Sequence, residues 1–399
     1  MHPSRSAFFA ICEKEAHHFA AKVSLIYLLS AIQPFFAICE KEAHNFTKKV
    51  SLIYSSRNSE GFQLLQYAAQ FWPEHLSATT PHAKLSLERN EVSRLFDADT
   101  TFVNLLMIHD PDPSPELVKF NFPSRLYYSA LLGLPIVAKL LLNGGVDVNA
   151  WGGSYGNALC AASGKGHADM ARILLEAGAE LDSKSDSGQT PLNCAAQNGH
   201  ADMVKILLEA GAEVDSKSEW GQTALSWAAF LGHADVARIL LKAGAEVDSK
   251  GDTGQTPLSR AAEGGHTDVA KILLAAGAEV DSKSTWGQTP LSFAANHGHV
   301  DVASFLLEAG AEVDSKDGIW GRTPLSFAAE WGHADMAKIL LEAGAEVDLK
   351  DEDGRAPLDH AKARSGVQGH KDVVELLQKW KRERDHESGN GKNFSSNQA

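Results

Sequence analysis

Glu219–Lys250, EWGQTALSWAAFLGHADVARILLKAGAEVDSK, returns in close variants through most of the second half of the chain. The glycine of its Gly-Gln-Thr step stands at Gly156, Gly188, Gly221, Gly254, Gly287, Gly321 and Gly354, at intervals of 32, 33, 33, 33, 34 and 33 residues. Self-similarity at a fixed period of this length marks stacked supersecondary units, none able to bury its apolar face alone.

One unit explains the local structure of all of them. Thr256 before Pro257 is a helix start, because the hydroxyl can accept an orphan backbone N–H and proline at the first helical position gives up a bond that is not made there. Leu258, Ala261 and Ala262 make the packed face of a short helix, and Gly265 allows a sharp turn. Asp268 sits in the first turn of a second helix, where its charge suits the positive end of the dipole. Val269, Ile272, Leu273 and Leu274 give that helix a broad apolar face, and Gly277 ends it in a left-handed conformation. The following AEVDSKS reads as an extended finger to the next unit.

Gly-x-Thr-Pro-Leu, two alanines, Gly-His, an apolar run and Gly-Ala at these offsets resemble the ankyrin repeat. The resemblance implies an all-α fold, an ankyrin-repeat α-solenoid with short β-hairpin-like fingers, preceded here by an irregular helical N-terminal region. Residues 123–384 form the array: a capping unit over Leu126–Asn149, with Gly133-Leu134-Pro135 in place of Gly-His-Ala, and seven further units. The last unit inserts four residues around Arg364–Gln368 and ends in the polar KWKRERDHE, as a solenoid end facing water requires. Residues 385–399, rich in Ser, Asn and Gly, read as a disordered tail.

Residues 1–60 hold a different duplication: Phe8–Tyr27 returns as Phe35–Tyr54 with 17 of 20 positions identical. Even exposed positions are kept, which a fold has no reason to demand, so the segment reads as a recent duplication or a fault in the assembled gene. Either copy can form an amphipathic helix. Residues 61–122 read as a helical junction, with a helix in Gly61–His75 ended near Trp72 by Pro73, helices over Glu91–Phe96 and Phe102–Ile108, and a turn-rich linker at His109–Pro115. YAAQFWPEH, HDPDPSPELV and the RLYYSALLGLPIVAKLLLNGG that follows resemble the junction of fungal NACHT-type receptor proteins, where an NTPase and helical module passes into ankyrin repeats. That resemblance implies a truncated signalling receptor whose array senses a ligand and regulates a nucleotide-driven switch. The chain itself has no phosphate loop: Gly164-Lys165-Gly166 lacks the spacing and the hydroxyl residue that phosphate and magnesium require.

Composition bounds the rest. With 44% hydrophobic and 22% charged residues the chain is that of a folded soluble protein, and no apolar run reaches the roughly 18 residues of a membrane span. A cytoplasmic or nuclear site and no membrane partner follow. Cys12, Cys39, Cys160 and Cys194 lack metal spacing and read as reduced thiols. Of the net charge of −14, the stretch Trp151–Lys350 carries −13, from 28 acidic and 15 basic residues. Such a surface repels phosphate backbones, so nucleic acid is not the expected partner.

His167, His200, His233, His266, His299, His333 and His370 occupy one slot in successive units, and Asp182, Asp215, Asp248, Asp281, Asp314 and Asp348 another. Stacking spreads such residues into ladders, so the reading is structural hydrogen bonding, with no catalytic residue, no metal and no cofactor. Binding instead belongs where the copies differ. In ankyrin proteins the finger and first-helix positions line a concave face that holds partner proteins. Slot by slot, the resemblance assigns that role here to Tyr155, Trp220, Trp227, Phe230, Leu231, Arg260, Trp286, Phe293, Trp320, Phe327 and Trp331. The aromatic stripe with acidic residues around it matches the anatomy of interface hot spots. The expectation is a monomeric, non-catalytic scaffold for a partner protein or peptide. The Trp227, Phe293 and Phe327 slot is equally open to packing against the neighbouring unit.

Overall fold

The computed structural model describes residues 123–364 and 366–393. The duplicated segment and the helices expected over residues 61–122 lie outside them. Among the described residues there are sixteen helices and no strand. The chain divides into two units, residues 1–186 and 187–399.

In the first unit, α1 (Arg125–Leu131) and α2 (Pro135–Asn143) form one antiparallel pair and α3 (Ala158–Lys165) and α4 (Ala168–Glu176) the next, with α1 packed on α3 and α2 on α4. The Ser124 hydroxyl caps α1 by accepting the Tyr127 N–H at 3.1 Å. Tyr127 and Tyr128 are fully buried edge to face, 5.4 Å apart, beneath the pair expected to cap the array.

The second unit repeats that pair six times, the final copy carrying a long second helix: α5 (Pro191–Gln197) and α6 (Ala201–Glu209), α7 (Ala224–Leu231) and α8 (Ala234–Lys242), α9 (Pro257–Gly264) and α10 (Thr267–Ala275), α11 (Pro290–His297) and α12 (Val300–Glu308), α13 (Pro324–Trp331) and α14 (Ala334–Glu342), α15 (Pro357–Ala363) and α16 (Gln368–Asn393). First helices stack on first helices and second on second. The core runs between the rows: Leu225, Leu240, Leu258, Leu273, Leu291, Leu306 and their neighbouring alanines are fully buried. Each such leucine contributes roughly 1.5–3 kcal/mol, in a core packed between the helices of adjoining repeats.

The caps are those the sequence demands. Thr190, Thr223, Thr256, Thr289 and Thr323 each accept the backbone N–H three residues on at 3.3 Å. Ala356 breaks the series; there the Asp359 carboxylate accepts the Ala356 N–H instead, at 3.0 Å. Gly265 closes α9 at φ 77° and Gly277 follows α10 at φ 93°.

Both polar ladders join neighbouring repeats. The Nε2–H of His299 donates to the Glu263 carbonyl at 3.0 Å, and His233, His333 and His370 reach the carbonyls of Gln197, Asn296 and Glu330 in the same way. Asp215, Asp248, Asp281 and Asp314 accept the backbone N–H of Glu246, Glu279, Glu312 and Glu346 at 3.1–3.3 Å. Among the described residues no further finger follows the last rung. Asp348 pairs instead with Lys381 at 2.8 Å and with Arg384, both on α16, and these cations hold its carboxyl below the usual range. Helix α16 continues to Asn393, past the boundary at residue 385 drawn from composition.

The fingers differ from the β-hairpin-like form that the resemblance implies. Each is a turn closed on itself, as where the Ser284 N–H meets the Gln288 carbonyl and the Gly287 N–H the Ser284 carbonyl. Each joins the next by a single backbone bond, such as Gly318 N–H to the Trp286 carbonyl at 2.8 Å. One bond per finger makes no ladder, hence no strand.

Candidate functional site

The variable residues of the second unit fall on its finger tips and first helices, and burial sorts them. Trp220, Trp286, Trp320 and Trp331 are 55%, 45%, 46% and 49% exposed, and Leu231 is 39% exposed. Phe293 and Phe327, by contrast, are 6% and 3% exposed. For these two the first-helix slot is buried, which favours the packing alternative that the sequence left open, although Phe327 still contributes to the cleft described below. The same slot buries Cys194 and His360, and His360 Nε2 lies 2.8 Å from the buried Asp351 carboxylate. Trp227 is half-buried, its ring edge-on to Trp220 at 6.4 Å. Tyr155 belongs to the first unit, half-buried with the Lys165 ammonium 5.9 Å above its ring.

Local chemistry fixes the exposed rings. A single Asp317 oxygen accepts the N–H groups of Ile319, Trp320 and Arg322 at 3.2, 2.8 and 3.4 Å, and this folds the longest finger into a tight turn. Ser284 does the same for Trp286 and Gln288. In three fingers a rung then ties the finger to the end of its first helix: Gln189 to Gln197 at 2.9 Å, Gln255 to Glu263 at 2.8 Å, Arg322 to Glu330 at 2.6 Å. The Trp331 indole N–H donates to Asn296 at 2.7 Å across the repeat boundary.

The result is a cleft of about 370 Å³ walled by Trp286, Ile319, Trp320 and Trp331, with Phe327 in its lining and Arg322 and Glu330 at its side. Ile319 and Arg322 were missed as site residues. The signal was present for Ile319: the interval from Gly287 to Gly321 is the one of 34 residues, and the longer finger turns Ile319 outward, 44% exposed. Phe230 and Arg260 stack on each other at 5.6 Å, with Arg260 also bound to Glu263 at 3.0 Å. Among the described residues no group of histidine, cysteine and carboxylate side chains is arranged to hold a metal ion, and no helix is long and apolar enough to cross a membrane.

Comparison with known proteins agrees with this construction. A model of ankyrin repeats (3 copies) matches residues 177–251, 246–317 and 310–387, more than half of the chain, and one of ankyrin repeats (many copies) matches residues 140–193. The chain belongs to the ankyrin-repeat family. The chain is also 34% identical over 122 residues to azaphilone pigments biosynthesis cluster protein L of Monascus ruber. That match covers 27% of this ankyrin chain and 25% of the relative, so the chain spans about a quarter of the length of the curated protein it resembles.

Proposed function

We propose that this ankyrin-repeat protein is a non-catalytic scaffold that holds a partner protein, or a peptide segment of one, on the concave face built from its fingers and first helices. The observation that carries the reading is the row of half-exposed tryptophans. Large aromatic side chains gathered on one surface, with Trp286 and Trp320 on fingers folded by Ser284 and Asp317 and Trp331 bonded to Asn296, have the composition of interface hot spots. Because the rings are already ordered, docking forfeits little side-chain entropy. Copurification from the native cell followed by mass spectrometry identifies the partner. Trp220→Ala, Trp286→Ala and Trp320→Ala together should then abolish its capture while leaving the melting temperature nearly unchanged. Unaltered capture removes this face from the proposal.

The alternative is a signalling receptor, supported by the resemblance of YAAQFWPEH and the linker after it to the fungal NACHT-type junction. It requires an NTPase frame directly upstream in the genome, and sequencing that locus decides it. In either reading the protein is a cytoplasmic or nuclear monomer.

A further inference from the structure

Three times, the second unit builds the same arrangement from its own side chains. The guanidinium of Arg260 lies over the Phe230 ring at 5.6 Å and pairs with Glu263. Arg322 lies over Trp320 at 5.0 Å and pairs with Glu330. Arg364 lies over Trp331 at 4.9 Å and pairs with the other oxygen of Glu330 at 3.4 Å. An aromatic face with a carboxylate at its edge is a receptor for a planar cation, since ring quadrupole and anion both favour the guanidinium.

A fourth such place lacks its arginine. Trp220 is the most exposed of the four finger and helix tryptophans, at 55%, and among the described residues no cation stands over its ring. Its carbonyl accepts the Asp252 N–H at 3.3 Å. The Asp252 carboxylate lies where a Cβ on Gly221, the residue after Trp220, would meet it at 2.5 Å. Glu219, the preceding residue, is also exposed. Farther along the same row, Trp286 likewise has no stacked cation, and its ring opens into the apolar cleft with Ile319. The surrounding array carries −13 between Trp151 and Lys350, a field that draws in basic partners.

We propose that the partner segment is basic and apolar together: an arginine stacks on Trp220, drawn there by the adjacent acidic residues Glu219 and Asp252, while an apolar side chain about five or six extended residues farther along enters the Trp286–Trp331 cleft, two repeats away. This rests on the scaffold reading above and adds the chemistry of its ligand.

The test uses the full chain and a fluorescein-labelled peptide of four Arg-Leu-Gly repeats, with a second peptide in which citrulline, neutral but of the same shape, replaces each arginine. Anisotropy should show the arginine peptide bound about tenfold or more tightly than the citrulline one, with the preference shrinking as salt is raised. Trp220→Ala, or Glu219→Gln with Asp252→Asn, should erase that preference. Asp268→Asn with Asp301→Asn removes the same charge from the exposed starts of α10 and α12 and should preserve it. Equal binding of the two peptides overturns the arginine site; so does an equal loss in the Asp268/Asp301 control, which reveals only diffuse charge. If both peptides bind alike and Trp286→Ala releases both, the scaffold surface stands and the arginine inference alone falls. Absence of binding by either peptide sinks the inference, and partner capture then judges the surface independently.

Discussion

Two glycines of one repeat separate backbone strain from the interlock between repeats. Gly265 and Gly277 both hold a positive φ, at 77° and 93°. A Cβ at Gly277 would meet nothing within 4 Å, whereas at Gly265 it would lie 2.6 Å from Nδ1 and 2.8 Å from Cε1 of His299 in the next repeat. Gly277→Ala therefore incurs left-handed strain of about 1–2 kcal/mol, offset by about 0.4–1 kcal/mol of lost freedom in the unfolded chain. Its net effect is a destabilisation of roughly 1 kcal/mol. Gly265→Ala adds to this the displacement of the ring. Overpacking and loss of the His299–Glu263 bond together make it worse than Gly277→Ala by about 1–3 kcal/mol. Urea unfolding of the full chain, followed by circular dichroism, measures the difference in midpoints. A lowered slope for Gly265→Ala alone would further show that the array had split at that boundary. Removing the ring completes the cycle: in the His299→Ala background, Gly265→Ala should cost no more than Gly277→Ala. Indistinguishable midpoints for the two glycine variants in the otherwise native chain would refute the interlock.

Ala224 opens α7 where sibling helices have buried prolines, so Ala224→Pro should stabilise by about 0.4–1 kcal/mol through the unfolded chain; a lower melting temperature contradicts it. Ser282 is 2% exposed and its hydroxyl has no hydrogen-bond partner, so Ser282→Ala should raise stability by about 1 kcal/mol in the same urea assay. Burial, reinforced by neighbouring histidines, lowers the pKa of His266 and His333 below the ordinary 6.5 despite their bonds to the Phe230 and Asn296 carbonyls. The unfolded chain takes up these protons first, so stability should fall as the medium is acidified from about pH 7.5 to about 5.5, and His333→Gln should flatten that slope. Burial raises Asp281 and Asp314 above the ordinary 3.8; these act in the opposite sense, but only in the window extending upward from that value.

The helix pairs were legible because every signal that sets them is local and repeated. Thr256 before Pro257, Gly265, and the apolar spacing of Val269 and Leu273 need no knowledge of the neighbouring repeat, and the structure gives each its expected place. The histidine and aspartate ladders were legible as structural because seven equivalent histidines cannot all be one site. The fingers were not. AEVDSKS is extended in sequence character, but whether it makes a ladder depends on how many bonds adjoining fingers exchange, and the stacking geometry allows one.

Within the candidate site the limit was burial, which a slot does not encode by itself. Phe327 and Trp331 lie one helical turn apart on α13, yet one is 3% and the other 49% exposed. What separates them is the neighbour each meets: Phe327 is buried at the base of the cleft, while Trp331 reaches outward to Asn296 and carries Arg364 on its face. This division has a physical consequence for function. The threonine caps, the glycine turns and the histidine bonds over-determine each repeat using shared positions alone, so an exposed tryptophan at a finger tip adds little to stability and can be exchanged without loosening the stack. A side chain that the fold does not require, held rigid by bonds that the fold supplies, is free to be selected for the partner it touches. That asymmetry is why truncating Trp220, Trp286 and Trp320 should change binding while leaving unfolding nearly untouched, and why the reverse is expected of Gly265.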